Sequence, residues 1–122
     1  MQTADNPWIE LCPGIRRQTI TSGQTMYQML AHLDAGSRLP EHRHPQEQIT
    51  HVIRGRVRMI LSGVPRELGA GESLYIPGNI PHGAETIEEA VVIDTFSPPR
   101  SEYLALDEQA KVAQSLSRTT RL

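Results

Sequence analysis

Apolar and polar positions alternate in short runs along this chain, and turn signals cut the runs at close intervals. Pro13-Gly14, Ser22-Gly23, Ala35-Gly36, Gly55, Ser62-Gly63, Gly69-Ala70-Gly71, Pro77-Gly78, His82-Gly83 and Pro98-Pro99 are the cuts. The runs between them are rich in Val, Ile, Leu, Thr, Tyr and Met, residues that fit a pleated, half-buried surface. Regular short strands separated by turns predict an all-β sandwich or barrel. One segment reads differently. From Asp107 to about Ser117 the pattern is helical, with Asp107 as N-cap, Glu108 in the first turn, and Ala110, Val112, Ala113 and Leu116 as a thin apolar stripe.

Strand parity then sorts the side chains, because neighbours on a strand point to opposite faces. On an unbroken strand His42, His44, Gln48, Thr50 and Val52 share one face, while Arg43, Ile49, His51 and Ile53 take the other. Pro45 is expected to interrupt the pairing. Further on, Val92, Asp94 and Phe96 share a face opposite Val91, Ile93 and Thr95. A carboxylate between Val92 and Phe96 on an inner face is costly unless it is paired or used. Two imidazoles and an amide on one face, joined by His82 after the Pro77–Pro81 turn, can hold one divalent ion and leave positions open. Three His and one Gln suit Zn, Ni, Mn, Fe or Co alike.

Composition narrows the function classes. With 122 residues there is room for one domain, residues 1–122, with a barrel core over about 13–100. The net charge of −2 offers no electrostatic case for nucleic acid or an anionic membrane. Arg54, Arg56 and Arg58 share one parity and read as a solvated face. The single cysteine, Cys12, excludes an intramolecular disulfide and reads as a packing residue in a reducing compartment. No apolar run approaches the ~20 residues of a membrane span, and the N-terminus lacks a signal pattern, so the expected location is the cytoplasm.

The motifs carry a family likeness. Gly36, His42, His44, Gln48 and Gly55 match the first motif of the cupins, with Gln48 where most cupins have Glu. Gly71, Pro77, Gly78 and His82 match the second, its glycine displaced by one position and Thr86 in place of a frequent Asn. The chain therefore resembles a single-domain cupin, a double-stranded β-helix or jelly-roll barrel, here with a short C-terminal helix. It is similar in particular to the KdgF-type cupins of pectin and alginate breakdown. That likeness rests on Pro13-Gly-Ile-Arg-Arg17, His44-Pro-Gln-Glu-Gln48-Ile-Thr50, Ile76-Pro-Gly-Asn-Ile-Pro81-His82-Gly83 and Val92-Ile-Asp94-Thr-Phe-Ser-Pro98-Pro99-Arg100. It runs from about Pro13 to Leu104. His51 departs from it, standing where an aromatic residue is usual, on the outward parity.

The resemblance implies a role for each site residue. His42, His44, Gln48 and His82 would hold the metal, and Asp94 and Arg100 would complete the site. The implied reaction is the linearisation of 4,5-unsaturated monouronates to open-chain 5-keto-4-deoxyuronates. The partner is then a small sugar acid, with Asp94 moving protons and Arg100 holding the substrate carboxylate. Neutral ligands leave the ion's charge uncompensated, which favours binding of anionic oxygens. A cupin oxygenase or lyase, and a barrel that binds a sugar acid without turning it over, are the alternative readings. Asp94 could also be half of a structural ion pair with Arg100. His32 and His51 read as structural, Tyr75 and Tyr103 as packing although either could line a sugar pocket, and Glu41, Glu47, Glu85, Glu88 and Glu89 as surface and turn acids. Exposed edges of a small barrel need covering, and the apolar Trp8–Pro13 segment is expected to add as a strand to a neighbour in a two-fold homodimer.

Overall fold

A computed structural model describes residues 5–120. Eight strands precede one helix: β1 (Trp8–Cys12), β2 (Ile15–Ser22), β3 (Tyr27–Leu33), β4 (Arg38–His42), β5 (Glu47–Leu61), β6 (Val64–Gly69), β7 (Ser73–Ile76), β8 (His82–Ser97) and α1 (Ser101–Thr120). The pairing is antiparallel throughout, in the order β1-β2-β3-β8-β5-β6, with β4 also on β8 and β7 also on β5. The expected all-β barrel with a C-terminal helix is what forms.

β5 and β8 are the spine. Each is long enough to serve two parts of the sheet, and they run together from Glu47↔Ser97 to Leu61↔His82. The register shifts between Val52 and Val57, and Gly55 sits there with φ of 90°. A Cβ at Gly55 would lie 2.0 Å from the Glu89 carbonyl oxygen. Only glycine allows this bend, which lets one strand turn the corner of the barrel.

The inward faces follow the parity reading. Gln48, Thr50 and Val52 are buried, while Ile49 and Ile53 are 47% and 46% exposed. Val92, Asp94 and Phe96 are likewise buried. One core cluster gathers Ile15, Ala31, Leu33, Val52, Val57, Met59, Leu68, Ile76, Ala84, Ala90 and Val92. A second, Tyr27, Met29 and Phe96, meets Tyr103 and Leu104 of the helix.

The structure corrects the helix reading. α1 begins at Ser101, directly after Pro98-Pro99-Arg100, so Asp107 is inside the helix and not its cap. The Asp107 side chain is turned inward, where it pairs with Arg17 at 2.9 Å. Nor is the expected stripe buried: Val112 and Leu116 are 58% and 62% exposed, and α1 docks through Tyr103, Leu104 and Asp107 instead. β1 pairs with β2 of its own chain and forms one end of the strand order. Cys12 packs against the core as expected. Arg54, Arg56 and Arg58 lie on the surface, paired with Glu89, Glu67 and Glu85. Such exposed pairs contribute little.

Gly55→Ala should destabilise the fold by at least about 2 kcal/mol, because strain and steric overlap add. Gly63 has φ of 82° but open space around its Cβ position. Gly63→Ala therefore isolates the conformational part, about 1 kcal/mol. Equal urea midpoints for the two variants would contradict the close approach at Gly55.

Candidate functional site

The site sits at one end of the barrel, where three elements meet. His42 is the last residue of β4, His82 the first of β8, and the two are register partners. His44 does not share a strand with His42, as the parity reading had it. It lies in the connection 43–46, which Pro45 holds out of the ladder. A different contact places it. The backbone amide of Asn79 donates to the His44 carbonyl at 2.8 Å, and a Cβ on Gly78 would lie 2.4 Å from the Pro45 carbonyl oxygen. The Pro77-Gly78-Asn79 turn thus packs directly on the loop that carries His44. The three rings converge, with centroids 4.3, 4.9 and 5.7 Å apart.

The hydrogen bonds fix which ring nitrogen carries the proton. Nδ1 of His42 faces the Pro40 carbonyl at 2.9 Å, Nδ1 of His44 the Gln46 carbonyl at 3.0 Å, and Nδ1 of His82 the Ile80 carbonyl at 2.8 Å. A carbonyl can only accept, so each Nδ1 donates. Each neutral ring then presents a bare lone pair on Nε2. One potential ligand atom from each of the three rings lies within 4.8 Å of the others. His82 Nε2 is buried with no hydrogen-bond partner among the described residues.

Gln48 completes the pattern. Its Nε2 donates to Thr50 Oγ1 at 2.9 Å and to Asp94 Oδ1 at 3.1 Å, which fixes the amide orientation. Its Oε1 therefore faces His44 Nε2, 3.1 Å away. With the His44 proton on Nδ1, this is a contact between two acceptors and not a hydrogen bond. A cation between them turns repulsion into coordination. The donor set of three Nε2 atoms and one amide oxygen fits a divalent transition-metal ion, and His42, His44, His82 and Gln48 are the residues that could hold it.

Titration behaviour agrees with the geometry. Burial, with the Arg100 charge and the other histidines, pushes His44 down to about 4. Burial lowers His82 as well. Both are then neutral and ready to ligate near pH 7. Asp94 is pushed up to about 6 by burial, against the hydrogen bonds from Thr50 and Gln48. Its Oδ1 accepts from Thr50 Oγ1 at 2.6 Å. Arg100 is not its ion-pair partner: the Arg100 Nε donates to Glu102.

A cavity of about 330 Å³ joins these groups. His42, Gln48, His82, Asp94 and Arg100 line it, with His44 behind Gln48. Leu11, Ile15, Leu39 and Met59 form its apolar side. All six residues singled out in the sequence therefore meet in one place. Sequence reasoning missed Thr50 as the partner of Asp94, although parity had put it on the correct face. It also set Tyr103 and Glu41 aside as packing and surface residues, and both line the cavity. Tyr75 is 53% exposed and His51 bonds Ser73, both away from the cavity lining.

Comparison with known proteins gives concordant findings. The cupin domain model matches residues 29–96. The pectin degradation protein KdgF of Dickeya dadantii is 34% identical over 102 residues, covering 82% of this chain and 93% of that one. H2HPP isomerase of Bacillus subtilis is 33% identical over 107 residues, covering 79% of this chain but 45% of that one. The solved structure of KdgF from Halomonas sp. superposes with a TM-score of 0.77 at 29% identity, covering 82% of this chain and 93% of the other. Among the described residues no helix is long and apolar enough to cross a membrane.

Linkage gives a pH prediction. His44 has a folded value of about 4 against an ordinary 6.5, so the unfolded chain protonates first and stability falls as pH drops from 6.5 toward 4. Asp94, at about 6 against 3.8, acts in the opposite sense: the folded chain protonates first, and stability rises as pH falls through that window. The two effects offset in the metal-free wild type. Metal-free Asp94→Asn should therefore lose stability more steeply on acidification. Urea midpoints at about pH 7 and about pH 5 check this, and equal slopes for the two proteins would contradict it.

Proposed function

Because the chain belongs to the cupin family, and within it to the KdgF family, we propose that it is a metal-dependent enzyme that opens the ring of 4,5-unsaturated monouronates. One observation carries the reading. A buried acid whose pKa is raised to about 6 shares a cavity with a convergent imidazole set and an arginine. A neutral-pH proton carrier beside a carboxylate clamp is what this substrate needs.

The chemistry is an isomerisation. The anomeric hydroxyl loses its proton, the bond from C1 to the ring oxygen breaks, and C1 becomes an aldehyde. The electron pair left on the ring oxygen is an enolate conjugated to the carboxylate. Protonation at C4 then gives a C5 ketone and a C4 methylene. A divalent ion held by His42, His44, His82 and Gln48 would supply Lewis acidity toward substrate oxygens.

The chain's own residues supply the rest. Asp94, with a carboxyl near neutrality, takes the proton from the anomeric oxygen and returns one at C4. Thr50 and Gln48 hold its Oδ1, leaving Oδ2 for that transfer. Arg100 is buried to 8% exposure, with Nε on Glu102, and its terminal amino groups can take the substrate carboxylate in a two-pronged hydrogen bond. The barrel walls exclude water from the enolate. In this reading the enzyme works as a homodimer, with β1 as the edge that a second copy covers.

A second reading has its own observation. The apolar wall of Leu11, Ile15, Leu39 and Met59 also fits a carboxylate with an apolar body. A cupin isomerase or lyase of such an acid would then use the same Asp94 and Arg100. A panel of carboxylate substrates separates the two readings.

Purified metal-loaded protein should abolish the ultraviolet enol-ether absorbance of unsaturated monouronate. Binding without spectral change would instead mark a non-catalytic sugar-acid module. Asp94→Asn keeps an acceptor oxygen for Thr50 and Gln48, so metal content should hold while kcat falls by about a hundredfold to ten-thousandfold. Arg100→Ala should mainly raise KM. Near-full turnover in Asp94→Asn would leave that residue a structural role only.

A further inference from the structure

Outside the cavity lies a polar cluster that the reaction does not use. Arg17 is fully buried on β2. Its Nη1 pairs with Asp107 Oδ1 at 2.9 Å, and its Nη2 donates to the Tyr103 carbonyl at 3.1 Å. Asp107 Oδ2 accepts from Thr19 Oγ1 at 2.6 Å, and Thr19 Oγ1 in turn accepts from the Tyr27 hydroxyl at 2.6 Å. A buried ion pair is weak support for stability, because desolvation consumes most of its attraction. It is better suited to selecting one arrangement of the elements it joins. Here those elements are β2 and the first two turns of α1.

What those turns carry is Tyr103. The Arg17 guanidinium carbon stands 4.3 Å from the Tyr103 ring centroid, and the Arg100 guanidinium carbon stands 4.1 Å from the same centroid. Arg100 also lies over Phe96 at 4.8 Å. The arginine in the cavity thus rests on a ring whose backbone is tied, through Arg17, to the barrel. The hydrogen bond to Glu102 fixes only Nε, and the side chain of Glu102 is itself 53% exposed. Two aromatic faces, Phe96 and Tyr103, lie against the Arg100 guanidinium.

We propose that the Arg17–Asp107 pair and the Tyr103 ring form a positioning device for the Arg100 guanidinium, holding its terminal amino groups toward the cavity to receive a carboxylate. This rests on the reading in which Arg100 holds the substrate carboxylate. Tyr103 acts through Arg100 and is a positioning residue, not a catalytic one. Phe96 serves the same guanidinium, but it also packs on His44, so Tyr103 is the cleaner probe.

The test uses the full-length metal-loaded protein and unsaturated monouronate. Tyr103→Leu removes the ring, and Tyr103→Met is a second, less disruptive removal if the first fails to fold. Tyr103→Phe keeps the ring and loses only the hydroxyl. Ring removal should raise KM about tenfold, with kcat within about threefold and metal content unchanged. Tyr103→Phe should restore the wild-type KM. A general structural defect would lower the folded fraction without this split or rescue. Crystal structures of the variants read the same claim without turnover: Arg100 should leave its wild-type position in Leu or Met and keep it in Phe. If wild-type protein fails to turn over the sugar, the proposed reaction falls and those structures decide the positioning claim alone. Wild-type KM with Arg100 in place in Tyr103→Leu or Tyr103→Met would overturn it.

Discussion

An oxygen-centred and a nitrogen-centred lone pair face each other in the site at the end of this barrel, and the surrounding structure keeps them there. Gln48 Oε1 and His44 Nε2 are 3.1 Å apart. Each is committed to that orientation from behind, the amide by Thr50 and Asp94 and the imidazole by the Gln46 carbonyl. Left alone, such a contact is unfavourable, and a buried polar group without a partner costs more than its hydrogen bond would return. A cation resolves it, and the unpartnered Nε2 of His82 points to the same answer.

The fold reads as the means of maintaining that arrangement. β4 and β8 bring His42 and His82 into register, and the turn at Gly78 presses the His44 loop into place. Thr50 stands directly opposite Asp94 in the β5–β8 ladder, and Gly55 lets β5 continue past the corner to Leu61, the register partner of His82. Asp94 is tied to both the amide and the cavity. It strengthens Gln48 as an oxygen donor and, with its raised pKa, is able to exchange a proton near neutrality.

Much of this was legible in the sequence because it is local or periodic. Two-residue alternation put Gln48, Thr50 and Val52 inside and Ile49 and Ile53 outside, and motif spacing brought His42, His44 and His82 together. The period of two says nothing about where a strand stops, which is why His44 appeared to share a strand with His42. The helix start was misread for a related reason. An aspartate before an apolar stretch looks like a cap, and only its partner, Arg17, ninety positions away, shows that Asp107 serves the interior. The Thr50–Asp94 bond and the stacking of Arg100 on Tyr103 were not legible because they are cross-strand and helix-to-barrel contacts that no spacing encodes.

The site depends above all on the ion. Elemental analysis of protein purified without a metal-binding tag, compared with a His44→Ala/His82→Ala variant, tests it most directly. Close to one divalent ion per chain is expected in the wild type and almost none in the variant. Equal metal content in the two proteins would contradict it.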